Sequence, residues 1–160
     1  MKKWFFIPFI ILSGLLQLTV LDSWRIFQVK PDLLLVSMVW ACFIFNFRQA
    51  FLLSIFCAVL KDTFLPWPFG INTILFPLWC FLIFKLRKQL TLDYAPLQIA
   101  LIFIVTLMQN IATGLMLILM GYTIAAGIFL RIVGVGSLYT TLTGALSLWV
   151  LMRMNLLRSE

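Results

Sequence analysis

From Pro96 to Met120 the chain carries no charged residue, and its apolar runs are unbroken, as in Leu101–Val105 and Leu115–Met120. That pattern decides the solvent. Of 160 residues, 64% are hydrophobic and 11% charged, against roughly 45–50% and 25% in soluble domains. A chain this small buries only about two-thirds of its surface, too little to hide so much apolar area from water. The fitting solvent is lipid, where every backbone N–H and C=O needs an internal partner and only helices or closed barrels span. Barrel strands alternate apolar and polar positions; these runs do not. The expected fold is all-α, a polytopic membrane helix bundle.

A span takes about 20 residues. Six are expected, at about 4–21, 32–47, 50–65, 71–84, 96–120 and 128–152, filling a single transmembrane domain over 1–160. Trp4–Leu21 follows Met1-Lys2-Lys3 and reads as an uncleaved first span, since no Ala-x-Ala-like site follows it. Pro31 suits a helix start. Asn46-Phe47-Arg48-Gln49 reads as a tight polar turn, and Pro66-Trp67-Pro68-Phe69-Gly70 as a helix break. The third and fourth spans are short, which leaves open a four-span chain with a re-entrant hairpin. Lys2, Lys3, Arg48, Lys85, Arg87, Lys88, Arg153 and Arg158 fall on one side, and Arg25, Lys30, Lys61 and Arg131 on the other. The positive-inside rule then sets both termini in the cytoplasm. The same rule accounts for the net charge of +7 without nucleic acid.

Chemistry-bearing residues are scarce. The chain has no His and five acids, which argues against a Ser–His nucleophile, a His-ligated metal or a two-carboxylate mechanism. Cys42, Cys57 and Cys80 lie in apolar runs and read as small buried hydrophobes. No cofactor, metal or catalytic residue is expected.

Two rows of small residues stand out. Ala50, Ser54 and Ala58 recur every four residues, as do Gly136, Thr140 and Gly144. Such rows let helices approach closely in lipid, either inside the bundle or against a partner's helix. Asp62 continues the first row, drifting about 40° per step of four. Two readings are open for it: a functional intramembrane carboxylate, or an interfacial cap tying Gly70 and Asn72 at the start of the fourth span. Lys61 points about 100° away and could snorkel to the outer headgroups. Gln109 and Asn110 bridge helices or line a cavity. Arg131 either snorkels or pairs with Asp62.

These residues form a set. KPDLLLVSMVWACF at Lys30–Phe43, LKD at Leu60–Asp62, PFGIN at Pro68–Asn72 and the basic run Lys85–Lys88 together resemble the rod shape-determining MreD family. The matching positions are Pro31, Asp32, Asp62, Pro68, Gly70 and Asn72. One departure is that Ala50, Ser54 and Ala58 stand where the family often has glycine. The resemblance implies a non-enzymatic multi-pass subunit of the bacterial inner membrane. Such proteins bind MreC and help couple MreB filaments to the peptidoglycan synthase RodA and its transpeptidase. It also implies a bundle like the substrate-binding subunits of energy-coupling-factor transporters. A vitamin-binding role of that kind is the alternative, with Gln109, Asn110 and Asp62 as pocket candidates.

Overall fold

The computed structural model describes residues 6–23, 31–64, 70–89 and 95–153. Within them the chain is all-helical: α1 (Phe6–Ser23), α2 (Leu33–Ile44), α3 (Phe47–Phe64), α4 (Ile71–Gln89), α5 (Ala95–Leu119) and α6 (Ala126–Arg153). Two stretches, Pro96–Leu119 and Ala126–Ser147, are long and apolar enough to cross a membrane. Phe6–Gln17 and Leu33–Ile44 are apolar but shorter, while α3 and α4 carry charges towards their ends. The basic flank at Lys2–Lys3, Pro68 within its break, and Arg25, Lys30 and Arg158 lie outside the described residues.

α2 is the axis of the bundle. Its residues from Leu34 to Cys42 are all buried, and it packs against each of the other five helices. A helix apolar all round must be surrounded by protein or lipid. Here protein surrounds it, so its 12 residues need not match the membrane's thickness. It starts where Asp32 caps it, Oδ1 accepting from Leu35 N at 3.1 Å. It ends where Phe45 turns extended. The polar turn expected over Asn46–Gln49 is tighter than that. The Asn46 carbonyl already accepts from Ala50 N at 2.9 Å, so Phe47, Arg48 and Gln49 form the first turn of α3.

The α5–α6 hairpin closes in a pattern that glycine permits. Gly121 has φ +88°, Tyr122 N donates to Leu117 O and Gly121 N to Ile118 O, both at 3.0 Å. This is the paired-bond C-cap that favours glycine after the last turn.

Several polar side chains lie inside the bundle and several large apolar ones outside it. Asp62, Asn72, Gln109, Ser137 and Thr140 are buried, while Leu115, Ile118, Leu138, Leu142 and Leu146 are exposed. Large exposed apolar surface marks a face that meets lipid or another protein. Buried Cys42 and Cys80 bring their thiols together, Sγ to Sγ 3.3 Å across α2 and α4.

Both small-residue rows face inward. Ala50, Ser54 and Ala58 are each 0% exposed, and Gly136, Thr140 and Gly144 are buried. At Gly144 an added Cβ would lie 3.2 Å from Ile102 and 3.7 Å from Val36, so α6 meets α5 and α2 through this row. Trp40 of α2 fixes the same contact, its Nε1 donating to Ser147 Oγ at 2.9 Å. Gly144→Leu is therefore expected to destabilise the bundle by roughly 1–3 kcal/mol, the usual range for overpacking. Leu142→Ala, at an exposed position of the same helix, should change stability far less. Thermal unfolding of both variants in detergent checks this.

Candidate functional site

The polar groups of this bundle gather where α3 ends and α2 and α4 begin. In lipid, orphan N–H groups at a helix start find no water. Each of these starts takes a carboxylate instead, which also complements the positive end of the helix dipole.

Asp62, 5% exposed, serves α4. Its Oδ2 accepts from Gly70 N (3.1 Å), Thr73 N (2.9 Å) and Thr73 Oγ1 (2.6 Å). Its Oδ1 accepts from Asn72 N (3.2 Å) and Asn72 Nδ2 (2.7 Å). Gly70 supports this turn with φ +111°, a conformation that residues with a Cβ rarely adopt. A carboxylate offers about four lone-pair sites, and five donors reach this one.

The network continues into α5. Asn72 Oδ1 accepts from Gln109 Nε2 at 2.8 Å, and Gln109 Oε1 accepts from Trp79 Nε1 at 2.6 Å. Gln109 Nε2 also reaches Thr113 Oγ1 at 3.2 Å. Asp62, Asn72, Gln109 and Trp79 thus join α3, α4 and α5 through the interior.

Lys61 serves the neighbouring corner. It forms an ion pair with Asp32, and its Nζ sits 5.1 Å from the Phe76 ring centroid. Asp32 N donates to Thr140 Oγ1 at 3.0 Å, and Leu34 N donates to Gln17 Oε1 at 3.2 Å. This corner therefore ties α2 to α1, α3 and α6, with Pro31 buried beside it.

The structure brings Asp62, Gly70 and Asn72 together, and separately Pro31, Asp32 and Thr140. The structure corrects one reading and decides between the alternatives left open for two others. Lys61 does not snorkel, because a carboxylate is within reach inside the protein. Arg131 is exposed and is not an Asp62 partner, since α4's own donors fill that carboxylate. Gln109 and Asn110 both bridge helices: Gln109 joins the Asp62 network on α4, while Asn110 Nδ2 donates to Ile132 O and Ser137 Oγ of α6, both at 3.2 Å. The sequence reading also missed Thr73, Trp79 and Gln17. The Asn72-Thr73 pair at a helix start was the available signal for Thr73; none marked the other two.

Both carboxylates are thus committed to holding helix starts, and the two corners together tie all six helices. Compared with protein-family models, with curated proteins and with solved structures, the chain finds no match.

Two stability measurements follow. Asp62→Asn keeps the shape but turns an amide towards five donors. It should lower unfolding stability in detergent by roughly 2–3 kcal/mol, the scale of hydrogen bonds to a charged group. At the second corner, Lys61→Met strands the Asp32 charge and should cost several kcal/mol, roughly 3–5 by analogy with broken buried pairs. Adding Asp32→Asn should restore much of that loss, because Asn still caps a helix and no charge is left unpaired. A double variant no more stable than Lys61→Met would refute the pairing.

Proposed function

We propose that this chain is a multi-span, non-enzymatic scaffold of the bacterial inner membrane, acting in the rod complex as the MreD-like motifs imply. In this role it binds MreC and helps couple MreB filaments to RodA and its transpeptidase, maintaining cell shape. The observation that carries the reading is the engagement of the motif residues with one another. Asp62, Gly70 and Asn72 close on each other, with Gln109 completing the chain. Asp62 and Gln109 are two of the polar groups a vitamin pocket would need, and they are engaged in joining helices.

The antiparallel α3–α4 pair supports the orientation. Arg48 starts α3 and Lys85–Lys88 finish α4 at one end, while Lys61, Asp62 and Asn72 meet at the other. The cationic end is cytoplasmic by the positive-inside rule. Both termini inside fits an even number of crossings, and six helices make that number six in this reading. In this reading α3 and α4 cross too, with Lys61, Asp62 and Asn72 engaged inside the protein at one end and the exposed cations at headgroup depth at the other.

Tagged protein purified gently from its native membrane should retain MreC and other rod-complex members, identified by mass spectrometry. Retention of a transporter's ATPase and coupling subunits with a small molecule would instead support the vitamin-binding reading. For orientation, alkaline phosphatase fused in the 65–69 segment should be active and the same reporter fused in 90–94 inactive. The opposite pattern would invert the topology.

A further inference from the structure

One end of the bundle collects cations that form no ion pair among the described residues. Rings fix which residues meet there: Phe47 at the start of α3 lies 5.3 Å from Phe84 and 6.4 Å from Phe81 of α4, centroid to centroid. Arg48 follows Phe47 directly. Lys88 lies one turn beyond Phe84, on the same side of α4, and Lys85 and Arg87 flank it. All four cations are exposed. Arg87 spends one donor on the last turn of α2, Nη1 to Cys42 O at 2.9 Å. Arg48, Lys85 and Lys88 form no ion pair among the described residues. The acids with described side chains, Asp32 and Asp62, are at the far end and engaged there.

Below these cations the surface turns apolar at once: Phe47, Phe81, Leu82 and Leu86 are exposed. On the multi-span reading, this puts the cations at headgroup depth and the rings at the acyl boundary. Orientation alone asks only for cations on this side. It does not ask that unpaired cations from two packed helices converge over an aromatic cluster. An arginine fork and two lysine ammoniums suit a phosphate.

We infer that this end holds an anionic phospholipid, its phosphate bound by Arg48, Lys85 and Lys88 and its acyl chains lying along Phe47 and Phe81. The inference rests on the multi-span reading but not on the rod-complex role.

The test uses the full chain in neutral maltoside micelles, where no leaflet potential contributes, and follows thermal unfolding during titration with lipid. Phosphatidylglycerol should raise Tm saturably and phosphatidylcholine should not. Apparent affinity for phosphatidylglycerol should fall roughly fivefold for each cation removed in Arg48→Gln, Lys85→Gln and Lys88→Gln. Arg131→Gln, at the start of α6, should leave it unchanged. The Tm of each variant without lipid checks its fold. Equal shifts with both lipids, or undiminished affinity in the triple variant, overturns the site. Inorganic phosphate reproducing the full shift at matched concentration overturns the lipid assignment in favour of a free anion. Failure of the multi-span reading appears separately, as release of the chain from native membranes by alkaline carbonate.

Discussion

The structure depends on the two consecutive residues Lys61 and Asp62. About 100° apart on the last turns of α3, they send opposite charges to two helix starts. Asp62 caps α4 directly. Lys61 holds Asp32, which caps α2, and as the basic residue in α3's last turn it also complements that helix's negative end. One dipeptide thereby orders the ends of α2, α3 and α4. In water such a cluster would contribute little, because solvent satisfies loose ends and screens exposed ions. Where lipid surrounds the helices, open N–H groups cost several kcal/mol each, and the internal carboxylate is the available remedy.

Packing follows from those constraints. On the multi-span reading, lipid tails are as apolar as leucine, so burying apolar side chains between helices gains little, and association rests on close fit and interhelical hydrogen bonds. Small residues provide the fit: Ala50, Ser54 and Ala58 on α3 and Gly136, Thr140 and Gly144 on α6 are all buried. The Asn72–Gln109–Trp79 chain and the Trp40–Ser147 bond provide the polar contacts. Thr140 does both, lying in a packing row and accepting from Asp32 N. Through these small residues α3 packs closely against α2 and α4.

How much of this the sequence discloses depends on the range of each interaction. Continuous apolar runs sufficed to locate six helices, because helix formation in lipid is dictated locally. The Asp62–Gly70–Asn72 corner was legible for a similar reason: the partners lie within ten residues and the glycine and asparagine have recognisable end-of-helix chemistry. The Asp32–Lys61 pair was not, being 29 residues apart and joined by a register that only packing sets. The start of α3 was misplaced at Ala50 because Arg48 and Gln49 look like turn residues. They are exposed, and at a helix end that is no obstacle to helical geometry. Arg131 was open to two roles because the sequence does not reveal that five nearer donors already fill Asp62.

The same occupancy bears on what Asp62 does. A cap and a functional carboxylate were both open readings, and the geometry joins them. Any ligand or partner group reaching for Asp62 would have to displace donors from the start of α4 and leave backbone N–H groups unpaired. On the scaffold proposal, any influence of Asp62 on a partner is therefore exerted through where it holds α4, which carries Lys85–Lys88 at its other end, and through Asn72 and Gln109 to α5. A loss of partner binding on changing Asp62 would report the displacement of those surfaces. Separating the two requires a substitution that restores the cap without the charge, judged by whether α4 keeps its place before partner binding is scored.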